Sequence, residues 1–193
     1  MYQKGNKELI ILSLYLGDYS RRFYLREISK LSRLPLKTTQ RILENLTKSR
    51  ILKSEIHGKN RYFFLNLDNI ETKFLLLKSE IYKTIIFLKK YTFFKSFLKE
   101  IKNLSTTIII FGSFARFTAN NSPDIDILLV SKRKIKLPYY ILPNKFHEIQ
   151  ISESNIVKSF KMKAALIKKI QENHVILNDH SFFVNLMWNQ YEK

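Results

Sequence analysis

The stretch IIIFGSFARFTANNSPDIDILLV, residues 108–130, constrains this chain more than any other segment. It continues an unbroken, largely β-branched apolar run that begins at Thr106 and ends at Phe111, which reads as a strand buried in a sheet. The run stops at Gly112-Ser113. A short helical or turn segment follows, and a second apolar strand spans Ile125 to Val130. Asp124 and Asp126 sit at its entrance, two residues apart. In a strand such residues project from the same face, so the two carboxylates point together while Ile125 turns into the core.

The rest of the chain supplies helices on either side. Apolar spacing predicts helices over Lys7 to Leu16, closed by Gly17, and over Tyr24 to Leu31, with Leu25, Ile28 and Leu31 inward. Ser32-Arg33-Leu34-Pro35 reads as a turn, because the residue before proline avoids the helical region. A third helix follows over Lys37 to Ser49. Ile51 to His57 and Arg61 to Leu67 then read as a hairpin whose tip uses Gly58. Residues 69–103 are helical in pattern: a long connector, Ile70 to Lys90, and a second helix, Phe93 to Leu104. Beyond Val130 the pattern gives a short strand at Tyr139 to Leu142 and an alternating strand at Lys145 to Ser152. One amphipathic helix covers Asn155 to Gln171, with lysines 158, 161, 168 and 169 toward solvent. An extended piece, His174 to Leu177, and a helix, Ser181 to Tyr191, complete the chain. The fold class is α+β.

Charge narrows the partners. The 193 residues carry 34 Lys and Arg against 16 Asp and Glu, a net charge of +18. The excess is shared: +8 over residues 1–68 and +10 over residues 69–193. Two basic segments indicate two folded units with surfaces that attract polyanions such as DNA, RNA and nucleotides. The chain has no cysteine, which excludes disulfides, zinc–cysteine sites, thiol catalysis and iron–sulfur clusters. MYQKGNKELI has no apolar run with a small-residue cleavage site, and no segment approaches the roughly 18 apolar residues of a membrane span. The expectation is a cytoplasmic protein.

The paired aspartates carry the chemistry. Two adjacent carboxylates repel unless a cation neutralises them. Mg2+, which takes oxygen ligands and bridges substrate phosphates, suits the position. Gly112 lets the backbone approach a phosphate closely, and the Ser113 hydroxyl with nearby N–H groups can bind it. Arg116 can clamp a phosphate or pair with a local carboxylate. Gly112-Ser113, Ala115-Arg116 and Asp124-Ile125-Asp126 together resemble the signature of the DNA polymerase β-like nucleotidyltransferases, especially the small, minimal type. The resemblance covers residues 93 to about 152. It implies a mixed sheet flanked by helices, a nucleoside triphosphate substrate, and Mg2+ held by Asp124 and Asp126. It further implies a third carboxylate on a later strand as metal ligand and base. Glu148, opposite Ile149 and Ile151 in the alternation of Phe146 to Ile151, is the candidate; His147 is read as a packed or rim histidine. Three positions depart from the family pattern. Phe117 stands where a glycine is usual after Ala-Arg, Pro123 separates Ser122 from Asp124, and the third acid is Glu.

The segment YLREISKLSRLPLKTTQRILENLTKSRILKSEIHGKNRYFFLN resembles a winged helix-turn-helix along its whole length. That resemblance implies a DNA-binding head and makes a homodimer possible. The third helix presents Lys37, Thr38, Thr39, Gln40 and Arg41 to a major groove, and the hairpin tip presents Lys59, Asn60 and Arg61, with His57, to the flanking backbone. The expected organisation is a head at 1–68, a connector at 69–92 and a nucleotidyltransferase domain at 93–193. The expected function is transfer of a nucleoside monophosphate to a protein, RNA or small-molecule acceptor. Relatives of this size act as antitoxins that modify a partner toxin, which makes such a protein partner possible. The alternative is a transcriptional regulator that binds a nucleotide or partner protein without turnover.

Overall fold

In the computed structural model, which describes residues 6–119, 123–162 and 164–191, the chain divides into two units: Met1–Ser79 with Met187–Lys193, and Glu80–Leu186. Among the described residues no helix is long and apolar enough to cross a membrane.

The first unit begins with α1 (Asn6–Leu12), which tightens into a 3-10 turn, Ser13–Tyr15. The positive-φ glycines among the described residues are Gly58 and Gly112, so Gly17 does not form the left-handed cap expected of it. A two-residue strand, β1 (Phe23–Tyr24), escaped the periodicity because it is too short to show any. Helices α2 (Leu25–Ser32) and α3 (Leu36–Lys48) are separated by Arg33 in the left-handed region and by Pro35. Ile28, Ile42, Leu43 and Leu46 are buried, but Leu31, expected inward, is 51% exposed. Strands β2 (Leu52–His57) and β3 (Asn60–Leu65) form an antiparallel hairpin around Gly58, and β1 adds to β3, giving the order β1-β3-β2. The Tyr15 hydroxyl donates to the Phe63 carbonyl at 3.0 Å, tying the helices to the sheet. Helix α4 (Ile70–Lys90) starts in this unit and runs on into the second. The residues from Met187 onward return to the first unit. There Trp188 and Tyr191 join Tyr19, Arg22, Lys53 and Phe64 around a cleft of about 790 Å³.

The second unit is built on a four-stranded mixed sheet, in the order β6-β5-β4-β7. After α5 (Phe94–Glu100), strand β4 (Thr107–Phe111) leads into a single helical turn, α6 (Gly112–Ala115), and then β5 (Ile125–Val130). β4 and β5 are antiparallel, and β5 pairs in parallel with β6 (Phe146–Ile151). Helices α7 (Glu153–Lys161) and α8 (Ala165–Glu172) precede β7 (Val175–Asn178) and α9 (His180–Tyr191). One face of the sheet, with Ile108, Ile110, Ile125, Ile127 and Leu129, packs into an aromatic core with Phe87, Tyr91, Phe94 and Phe114. The alternate residues Ile109, Phe111, Leu128 and Val130 are buried on the other face.

The structure differs from expectation at two places in this unit. Tyr139 to Leu142, read as a strand, is a 3-10 turn over Tyr139–Ile141. The single helix expected over 155–171 is two helices. Ile156 and Phe160 are buried from α7, and Ile167 and Ile170 from α8. Ala164, which would have carried the apolar stripe across the gap, offers too little surface to bury, and its backbone turns extended to start α8 afresh.

A buried polar cluster pins the start of this unit to its end. Glu80 and His174 are each fully buried, with Glu80 Oε1 2.7 Å from His174 Nε2; the other ring nitrogen, Nδ1, donates to the Ile170 carbonyl at 2.8 Å. The Thr84 hydroxyl donates to the Ile176 carbonyl at 2.6 Å, and His180 Nε2 lies 3.0 Å from the same hydroxyl.

Candidate active site

The register of β4 against β5 sets Phe111 beside Asp126, so the chain turning out of β4 passes directly over the Asp126 carboxylate. Gly112 makes that turn with φ +70°, and a β-carbon built on it would run into Asp126 Oδ2. The glycine therefore supplies both the left-handed backbone and the room for the carboxylate. Ile125 is fully buried in the aromatic core, which sends Asp124 and Asp126 to the opposite face. The start of β5 is held there by the Ile125 N–H donating to the Lys145 carbonyl at 2.8 Å. Asn144 Nδ2 donates to the Pro123 carbonyl at 3.1 Å. Ser122 lies outside the described residues.

Phe117 explains how the turn manages without the usual glycine. Its φ is +60°, the conformation a glycine would adopt at no steric penalty. Its ring centroid lies 6.3 Å from that of Tyr91 and 6.1 Å from that of Phe87, and the Lys90 ammonium donates to its carbonyl. Aromatic burial and one charged hydrogen bond hold a strained residue in place.

Gly112, Ser113, Arg116, Asp124 and Asp126 line one cleft of about 750 Å³. Glu148 does not join them. The parallel register pairs Asp126 with His147 and Ile127 with Glu148, and His147 and Ile149 line the cleft. Glu148 faces the other side of the sheet, where its carboxylate accepts a hydrogen bond from the Tyr139 hydroxyl. Alternation does not distinguish the two sides of this strand, because both faces of the sheet are apolar. Leu128 and Val130 continue the aspartate face inward, so Ile149 and Ile151 belong with the aspartates rather than against them.

The cleft also holds residues the sequence did not single out. Lys169, Glu172 and Asn173 line it from α8 and the residue after it, together with Ala165 and Leu166. Lys169 is exposed, as expected, and the restart of the helix at Ala164 lets it line the mouth of the cleft as well. The site thus sets two carboxylates at the strand end beside Arg116 and Lys169.

The donor set fits a hard divalent cation: two carboxylates on one face, one of them seated on a glycine that no other residue could replace without displacing it. Among the described residues, no group of three His, Cys, Asp or Glu side chains is placed to hold an ion by itself. Asp124 and Asp126 would therefore supply only part of the coordination shell of such an ion, leaving positions for phosphate or water oxygens of the kind Mg2+ takes.

In the first unit, Gln40 from α3 and Lys59, Asn60 and Arg61 from the hairpin tip line a groove of about 720 Å³ with Arg26 and Glu44. Lys37 and Arg41 are exposed and Thr38 is half-buried. Gln40 Nε2 donates to Glu44 at 2.9 Å, and the Arg61 guanidinium donates to Ser54 Oγ at 2.8 Å and 2.9 Å. Thr39 differs from expectation: it is fully buried, and its hydroxyl donates back to the Pro35 carbonyl at 3.1 Å, so it presents nothing outward.

Comparison of the chain with curated proteins and with solved structures gives no match. Residues 93–178, which contain the Gly112 turn, both aspartates and the strand carrying His147, match the family model described as Nucleotidyltransferase domain.

Proposed function

We propose that this protein transfers a nucleoside monophosphate from a nucleoside triphosphate to an acceptor hydroxyl, with Mg2+, and that its N-terminal unit is a winged-helix head that binds DNA. The observation that carries the catalytic reading is the pairing of Asp124 and Asp126 on one strand face beside the Gly112 turn, inside the matched segment. Asp124 and Asp126 hold the cation, which offsets the triphosphate charge when bound. The Gly112-Ser113 turn receives a phosphate, and Arg116 and Lys169 balance the remaining negative charge. The acceptor oxygen attacks the α-phosphorus, the bond to pyrophosphate breaks, and the hydroxyl proton leaves to solvent or a nearby carboxylate.

The head reading rests on Gln40, Lys59, Asn60 and Arg61 sharing one groove, with Lys37 and Arg41 exposed on the same helix as Gln40. The expected organisation, 1–68, 69–92 and 93–193, and an antitoxin-like protein acceptor belong to this reading.

A second reading is favoured by Glu148 facing away from the cleft: a regulator that binds a nucleotide without turnover. One experiment separates the two. Each of the four α-labelled triphosphates is incubated with protein, Mg2+ and cell extract. Label transferred to a macromolecule, and lost with Asp126→Asn, supports catalysis. Triphosphate binding without transfer supports the regulator.

A further inference from the structure

We infer that His147 shares the bound cation with Asp126 and shifts the site's preference from Mg2+ toward Mn2+ and other ions that accept nitrogen. This rests on the cation-dependent reading above and goes beyond it by assigning the ion class. The parallel register places His147 directly beside Asp126 on the cleft face, the position at which Glu148 had been expected. His147 Nδ1 lies 3.6 Å from Asp126 Oδ1. That separation is too long for a hydrogen bond. It is close to the roughly 3.0–3.4 Å expected between two donors each about 2.1 Å from one shared ion. His147 is 67% exposed and no other hydrogen-bond or ion-pair partner is seen for its ring among the described residues, so the imidazole is free to close the small remaining gap.

The chemistry of the donors decides the ion. Carboxylate oxygens alone suit Mg2+, which demands oxygen and gives up its water reluctantly. An imidazole beside a carboxylate favours Mn2+ and the later divalent metals over Mg2+. A site with Asp124, Asp126 and a third carboxylate would not discriminate in this way. The residue at the third strand position therefore selects the metal.

The protein supplies its own internal controls, because it has four histidines. His57 lies at the hairpin tip, and His174 and His180 belong to the polar cluster around Glu80. The ring signals of all four are followed by NMR during titration with Mn2+ in the presence of a non-hydrolysable triphosphate analogue. Mn2+ affinity is measured in parallel by the loss of the free-ion EPR signal, with Mg2+ as competitor. The expected result is selective broadening of the His147 ring. His147→Ala and His147→Gln should weaken Mn2+ binding about 10-fold while changing Mg2+ binding less than about 2-fold. His147→Asp should reverse the preference toward Mg2+. Equal Mn2+ affinity in wild type and both neutral variants, with binding still lost in Asp126→Asn, would overturn the role of His147 and leave the cation-dependent reading standing. No Mn2+ or Mg2+ binding to the wild type, with or without the analogue, would overturn both.

Discussion

The Tyr139 hydroxyl donates to the Glu148 carboxylate on the face of the sheet turned away from Asp124 and Asp126. Burial, reinforced by this hydrogen bond, lifts the Tyr139 hydroxyl above the ordinary tyrosine value and keeps it a donor. Glu148→Gln should therefore leave nucleotide transfer within about 3-fold of wild type and cost about 1 kcal/mol of stability. Asp126→Asn should reduce transfer by about 100-fold or more. Label transfer and chemical unfolding of the two variants make the comparison; a loss with Glu148→Gln equal to that with Asp126→Asn would return Glu148 to the site.

Gly112→Ala tests the turn over Asp126. The left-handed φ costs about 1–2 kcal/mol for any residue with a β-carbon, and the new methyl displaces the Asp126 carboxylate. Transfer should fall more than stability does. A variant that melts lower yet transfers label at the wild-type rate would show that Asp126 need not sit against the glycine.

Phe117 holds a glycine-like backbone by packing its ring against Tyr91 and Phe87, and its two contributions can be separated. Phe117→Ala loses the contacts with Tyr91 and Phe87 and keeps the backbone penalty. Phe117→Gly loses the contacts but also the penalty. The glycine variant should be the more stable of the two by about 1 kcal/mol, read from denaturant midpoints.

On the head, Lys59→Ala and Arg61→Ala should each lower the slope of log affinity against log salt for duplex DNA by about 0.9. Thr39→Val should leave DNA affinity unchanged and cost about 1 kcal/mol of stability, because the hydroxyl is spent inside the helix turn. Fluorescence anisotropy at several salt concentrations measures the DNA affinities, and denaturant unfolding measures the stability cost of Thr39→Val.

The buried cluster gives the second unit a weakness in acid. Burial pulls His180 below its ordinary value, against the opposing influence of Glu80 and Asp179. The folded state thus favours neutral His180, and that stability is complete above about pH 6.5 and lost as pH falls toward the lower folded value. Burial alone would raise the Glu80 carboxyl, but the facing His174, with Lys83 and His180 nearby, brings it below the usual range. Its contribution is complete above about pH 4.5 and is lost below that. The unfolding midpoint should be flat above pH 7 and decline on acidification, and His180→Gln should flatten the upper part of that decline.

The paired aspartates, the glycine turn and the buried strands were legible because each has a local cause: alternation, a residue with no β-carbon, an unbroken apolar run. The third strand was harder. Its face was inferred from Ile149 and Ile151 on the premise that one side of the sheet faces the site and the other the core. In fact Leu128 and Val130 bury the same side that bears Asp124 and Asp126, so hydropathy could not tell the faces apart; only the pairing of Ile127 with Glu148 does. Lys169 was missed for a related reason. The phase of a helix is readable from its stripe only while the stripe is continuous, and Ala164 interrupts it. Thr39 looked available because a hydroxyl near a helix start can face either outward or back to a carbonyl, and sequence does not distinguish the two.

The placement of residues beyond Leu186 with the first unit has a bearing on synthesis. Tyr191 reaches back to donate to Asp18 at 2.9 Å, and its ring lies 5.6 Å from that of Tyr19. This seam therefore closes only after the last turns of α9 have been translated.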